Sequence, residues 1–230
     1  MKLNRLLYIL YFIGVLSFAS CSFDNHDAPS CHFSGSLVYK GEAIGVGYND
    51  INFELWEANP KWDIKAAIMV AVAPEGTYSA ELFGGDYKLK IVKGQGPFLP
   101  LDTIPVKVNG TTKLDIEVTP FYMVRTPNFT VSARTVTGTF KVEQIVTDAA
   151  LAKNIEFVGL FINKTVFVDM TQNNICSNKV SSIADLSAIS LSVAVPTLLP
   201  TQNVVYARIG VKIAGVEDPI YSPVQQVTLQ

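Results

Sequence analysis

Ile51-Asn-Phe-Glu-Leu55, Tyr87-Lys-Leu-Lys-Ile91 and Leu114-Asp-Ile-Glu-Val118 each alternate apolar and polar residues. Successive side chains of a strand point to opposite faces, so each stretch reads as a strand with one buried and one wet side. Turn chemistry separates such stretches at short intervals: Lys40-Gly-Glu, Pro74-Glu-Gly76, Gly84-Gly-Asp86, Gly94-Gln-Gly-Pro97 and Asn109-Gly110. The last is a strong hairpin signal. No window of a dozen residues keeps a helical period, although Asp148-Ala-Ala-Leu-Ala-Lys153 suits one capped turn.

Beyond Pro120 the pattern restarts, with strands expected over 129–133, 139–147, 155–163, 165–169, 189–195, 204–213 and 224–229. Seven strands in roughly 100 residues make one immunoglobulin-like sandwich. The expected fold is therefore all-β, two tandem antiparallel immunoglobulin-like β-sandwiches at 31–119 and 127–230. Residues 120–126 form the junction. It carries Phe121, Tyr122 and Met123 rather than Gly and Ser, so the two bodies are expected to pack together.

The chain of 230 residues is 49% hydrophobic and 17% charged, with net charge −2, as expected of a folded protein. Without a basic run among its 18 Lys+Arg, it lacks the footprint of a nucleic-acid binder. Lys2 and Arg5 precede the apolar run Leu6–Leu16, and Ser17-Phe-Ala-Ser20 leads into Cys21, the layout of a secretory signal over 1–20. The run is too short to span about 30 Å of hydrocarbon. Ala19-Ser20-Cys21 resembles a lipobox, which makes Cys21 the lipid-attachment residue and new N-terminus; cleavage after Ala19 is the competing reading. Loss of 1–20 removes two basic residues and no acidic ones, leaving −4. Residues 21–30 read as a polar tether, and Asp24 and Asp27 behind the cysteine resemble a surface-export signal of Bacteroidetes lipoproteins.

Gly76-Thr-Tyr-Ser-Ala-Glu-Leu-Phe-Gly-Gly-Asp-Tyr-Lys-Leu-Lys90 resembles the hairpin of prealbumin-like, carboxypeptidase-regulatory-like domains, and Val205–Ile213 with Tyr221–Val227 resembles the last strands of a fibronectin type III module. With Phe53–Glu57, Gly94–Phe98, Val118–Tyr122 and Val158–Phe161, nearly the whole mature chain is similar to a Bacteroidetes lipoprotein family catalogued as a domain of unknown function. The resemblance implies the two-domain fold, an outer-membrane, surface-facing location, and a place among accessory lipoproteins near starch-utilisation-type receptors and their glycan-binding partners. It implies no activity and no site residues.

Catalytic constellations are missing from the sequence, and neither metal nor cofactor is expected. There is no Gly-x-Ser-x-Gly, P-loop or His-Glu-x-x-His. His26 lies in the tether and His32 at the start of a strand, where no supporting carboxylate is expected. Glu54 and Glu57 fall on opposite strand faces, while Asp115 and Glu117 share a solvated one, so a glycosidase pair is disfavoured. Cys31 opens the first domain and Cys176 lies in the polar stretch 171–179, so nothing brings them within bridging distance. Asp102-Thr-Ile104 resembles a Bacteroidetes O-glycosylation signal, with Thr103 as acceptor.

Aromatics offer the functional lead, because sugar rings stack on exposed indole and phenyl faces while amides and carboxylates bond the hydroxyls. Trp56 shares the wet strand face with Asn52 and Glu54, Trp62 follows the Asn59-Pro60 turn, and Phe98 follows a glycine-rich loop. These are the candidate carbohydrate contacts; alternatively, Trp56 covers a sheet edge and Phe98 plugs the interdomain seam with Phe121 and Tyr122. The expected function is a non-catalytic surface lipoprotein accessory to glycan uptake, binding carbohydrate or assembling with an outer-membrane receptor complex. The alternative is a structural or adhesive module without a small-molecule ligand.

Overall fold

The computed structural model describes residues 27–59 and 66–230. Cys21, His26 and Trp62, with the signal and most of the tether, lie outside the described residues. Among the described residues there are seventeen strands in four sheets, none closed into a barrel, and no helix. Among the described residues no helix is long and apolar enough to cross a membrane.

The first sandwich is organised around β1 (Cys31–Tyr39). It pairs antiparallel with β2 (Glu42–Ala43) and β5 (Thr77–Leu82), and parallel with β8 (Thr111–Lys113) and β9 (Ile116–Glu117). The facing sheet runs β4 (Ile68–Ala71), β3 (Asn52–Glu57), β6 (Gly85–Ile91), β7 (Ile104–Val108). Ile51, Phe53, Leu55 and Leu89 are fully buried, as alternation requires. The Tyr78 ring packs edge-on against Phe53 of the facing sheet at 4.8 Å and tilted against Phe33 at 5.4 Å, joining the two layers.

One expected turn pairs its strands and two expected hairpins take another form. Lys40-Gly41 does close a two-residue hairpin, both residues having positive φ (52° and 79°) as a type I′ turn needs. Asn109-Gly110, by contrast, carries the chain from β7 in one sheet to β8 in the other, with no pairing between them. The Gly76–Lys90 stretch is likewise no hairpin: β5 and β6 belong to opposite sheets. Each strand is amphipathic, and placing the two on opposite layers turns both apolar faces into one core. The sheet around β1 is mixed, because a strand arriving by such a crossing runs parallel to β1.

Around Leu114–Asp115 the parallel ladder breaks and is repaired by side chains. Leu114 O accepts the Tyr78 hydroxyl, while the Ser36 N–H donates to Asp115 Oδ1 at 3.0 Å and the Lys40 N–H to Glu117 Oε1 at 2.7 Å. Asp115 and Glu117 thus serve the backbone of β1.

In the second sandwich β10 (Tyr122–Ser132), β11 (Thr135–Gln144) and β14 (Ile189–Ala194) face a sheet of β13 (Cys176–Val180), β12 (Ile155–Asn163) and β15 (Val204–Ile213), with β16 (Ile220–Tyr221) and β17 (Gln225–Thr228) on the far side of β15. Much of the expected junction is strand: Tyr122, Met123 and Val124 are buried residues of β10. Residues 165–169, expected as a strand, form an irregular loop, and β13 instead takes up Cys176. Of its apolar residues Val168 alone is buried, while Val166 and Phe167 stand about half exposed. Asp148 caps its single turn, accepting the Ala150 N–H at 2.8 Å and, through its carbonyl, the Ala152 N–H at 2.7 Å.

Candidate functional site

Asn52, Glu54 and Trp56 share the outer face of β3, all half-buried. The Trp56 indole N–H donates to Glu54 Oε2 at 2.8 Å, and Lys90 Nζ stands 5.8 Å over the ring. Asn52 gives its backbone N–H to Gln95 Oε1 at 3.2 Å. The ring edge and one face are therefore already engaged within the sheet. Phe98 is 4% exposed and bridges to Pro120, so it is no open stacking platform: the Gly94–Pro97 loop folds it into the seam between the domains.

Other sequence candidates are dispersed. His32 does have a carboxylate partner, because β1–β5 register sets Glu81 opposite it, with Nδ1 2.7 Å from Oε1 on an exposed surface. Cys31 and Cys176 are free, in different domains, and burial raises the Cys176 thiol pKa. Thr103 is exposed just before β7. Among the described residues no group of three or more His, Cys, Asp or Glu can hold a metal ion.

The unexpected chemistry lies in the interdomain seam. The Gly45 backbone bridges to Tyr221 of the second domain, with its carbonyl accepting the Tyr221 N–H at 3.0 Å, and the Gly96 N–H donates to Asp218 Oδ2 at 2.7 Å. Arg208 lies on the outer face of β15, where alternation places a wet residue, yet it is 1% exposed. Its guanidinium donates to Ser222 O at 2.8 Å, Val168 O at 3.3 Å and, across the seam, Pro74 O at 2.8 Å, and it stacks 4.4 Å over the Tyr221 ring. Desolvation brings the Arg208 pKa down to about 10. Asp50 and Asp169 lie near enough to offset part of that penalty.

Asp169 folds the 169–174 loop, taking the Asn173 side-chain amide on Oδ2 and the Thr171 N–H at 2.8 Å and the Asn173 N–H at 3.0 Å on Oδ1; against the opposing effect of burial these bonds lower its pKa. Asp50 is different: burial, then the Asp218 and Asp169 charges, push it up to about 6. At the lip of this charged seam two aromatic rings stand half in solvent. Tyr48, 51% exposed, meets Phe167, 46% exposed, edge-to-face with centroids 5.2 Å apart. The exposed Asn49 and the half-buried Asp50 adjoin Tyr48. Neither ring stands out in the sequence, since the two are 119 positions apart and only interdomain packing joins them. The one local signal is Gly45-Val-Gly-Tyr-Asn-Asp50, a glycine-rich loop with an aromatic near its apex.

Two family models match the chain. The "Protein of unknown function (DUF3823) N-terminal domain" covers residues 31–119, and "Domain of unknown function (DUF3823_C)" covers 122–226. No curated protein matches. A crystal structure of a DUF3823 family protein from Bacteroides ovatus is similar at 30% identity and TM-score 0.77, over 87% of this chain and 100% of that one. One from Parabacteroides merdae is similar at 30% identity and TM-score 0.77, over 89% and 100%. A Bacteroides uniformis structure described as a "putative carbohydrate binding protein" shares the fold, with TM-score 0.67 at 19% identity, over 87% and 100%.

Proposed function

The chain belongs to the DUF3823 family, and from that premise we propose that it is a non-catalytic, lipid-anchored surface protein that binds carbohydrate at the lip of its interdomain seam. The Tyr48–Phe167 ring pair carries the reading: two half-exposed aromatic faces beside an amide and a carboxylate supply the stacking surface and hydroxyl partners that sugars need. The description of the Bacteroides uniformis relative names the same ligand class. Cys21 supplies the anchor to the outer membrane, and a lipid with two or more chains holds there where one would not.

Binding of the purified chain to a polysaccharide panel tests this. Tyr48→Ala and Phe167→Ala should each weaken the best ligand about tenfold, equivalent to about 1.4 kcal/mol, while Trp56→Ala leaves it unchanged. Loss in Trp56→Ala alone moves the site to the Asn52–Glu54–Trp56 face. No binding to any glycan overturns the proposal and leaves assembly with a receptor complex, which co-purification from the native envelope would reveal. Cys21→Ser should release the chain from membranes; mass spectrometry of an unacylated native N-terminus would refute the anchor.

A further inference from the structure

Elsewhere in the seam, a cavity of about 300 Å³ opens between the 92–96 loop of the first sandwich, Phe121, and Lys153, Gly215 and Val216 of the second. That volume is at the lower end of small-ligand sites. Its walls are mainly apolar, formed by Ile91, Phe98, Leu101, Phe121 and Val216; the one uncharged polar side chain on it among the described residues is Gln95, whose Oε1 already accepts the Asn52 N–H. Among the described residues the charged side chains on it are Lys93 and Lys153, and no carboxylate lines it. Lys153 Nζ has only Gly215 O, at 3.5 Å, and the Phe121 ring face, 5.7 Å away; it forms none of the ion pairs among the described residues.

The cavity is also held in shape. Gly94 and Gly96 have positive φ (96° and 84°), and a side chain on Gly96 would collide with the Phe98 ring. The Gly96 N–H bond to Asp218 and the Phe121 N–H bond to Pro97 O at 3.0 Å tie the loop to the second domain and the junction. A sugar would find few hydroxyl partners on these walls, whereas an apolar body bearing one negative charge satisfies both walls and cation.

We propose that this cavity binds a small organic anion, a monocarboxylate with a ring or branched apolar body, whose carboxylate meets Lys153 while its body lies between Phe98 and Phe121. The site is independent of the proposed carbohydrate contacts at Tyr48 and Phe167. The probe is 8-anilino-1-naphthalenesulfonate titrated into the folded chain, with benzoate, benzyl alcohol and glucose as competitors. One dye should bind per chain, displaced by benzoate but not by benzyl alcohol or glucose. Lys153→Met should weaken dye and benzoate about tenfold, as loss of a charged hydrogen bond would. Leu101→Trp, which fills the cavity, should abolish binding, and Tyr48→Ala should change nothing. The proposal is overturned if dye binding survives Leu101→Trp, if Lys153→Met leaves benzoate unaffected, or if benzyl alcohol competes as well as benzoate.

Discussion

In the second sandwich, β10 and β11 are joined by two residues, Ala133-Arg134, and pair along most of their length; in the first, β5 and β6 are also joined by two residues, Phe83-Gly84, and do not pair at all. Connection length and turn residues do not separate the two cases. What differs is the layer each strand must cover. β10 and β11 sit side by side on one sheet, whereas β5 and β6 close the same core from opposite sides, with Tyr78 and Leu82 on one and Tyr87 and Leu89 on the other. A strand's partner is chosen by where its apolar face is buried, and the turn then adapts.

The sharpest challenge to this contrast is Gly35→Ala against Gly138→Ala. A methyl group on Gly35 would overlap the backbone carbonyl of Leu114 at the repaired parallel ladder, whereas one on Gly138 meets only side chains, the terminal methyl of Ile209 at 3.0 Å and the Phe129 ring at 3.3 Å. Urea unfolding should show a loss above about 3 kcal/mol for the first and about 1 kcal/mol for the second. Equal costs would mean the two sandwiches are equally tolerant.

Arg208→Met comes next, removing the donor to two buried carbonyls and to the half-buried Pro74 carbonyl across the seam. A loss of about 3 kcal/mol is expected. Calorimetry should resolve one transition into two as the domains uncouple; a single unchanged transition would deny the arginine that role. Gly45→Ala acts on the seam alone, since its Cβ would lie 2.5 Å from Tyr221 O. A cost of about 1–2 kcal/mol is expected, confined to domain coupling.

The smallest effect is electrostatic. Because the Asp50 pKa is raised to about 6 in the folded chain, the native state holds that proton more tightly than the unfolded one. Its contribution is full below about pH 4 and is lost as pH rises through 6. Asp50→Asn should flatten the fall in thermal midpoint across pH 4–6 and add about 1 kcal/mol at pH 7, a figure discounted for partial solvent screening. An unchanged pH profile would place the titration elsewhere.

Strand alternation at Ile51–Leu55, Tyr87–Ile91 and 204–213 was legible because period two is a local property. The Asp148 turn was legible for the same reason, since a carboxylate that caps its own segment needs no distant partner. The Asn109-Gly110 signal misled only about partnership: the turn forms, but between sheets. Phe98 was legible as an aromatic after a glycine loop and not as a buried one, because its cover comes from Pro120 and the second domain. Arg208, Tyr48 and Phe167 could not be found, since an alternating strand assigns Arg208 to solvent, and the distant Val168, Tyr221 and Ser222 of its own domain together with Pro74 of the docked one bury it.

Amphipathic period, turn chemistry and the leading apolar run are encoded within a few residues of one another, so the primary structure was sufficient for an all-β chain in two bodies with an expected export signal. Which sheets those strands join depends on partners tens of positions away, and which polar groups the seam desolvates and which aromatics meet at its lip depend on contacts more than a hundred positions apart. Those contacts exist only once two apolar layers have closed and one domain has been laid against the other.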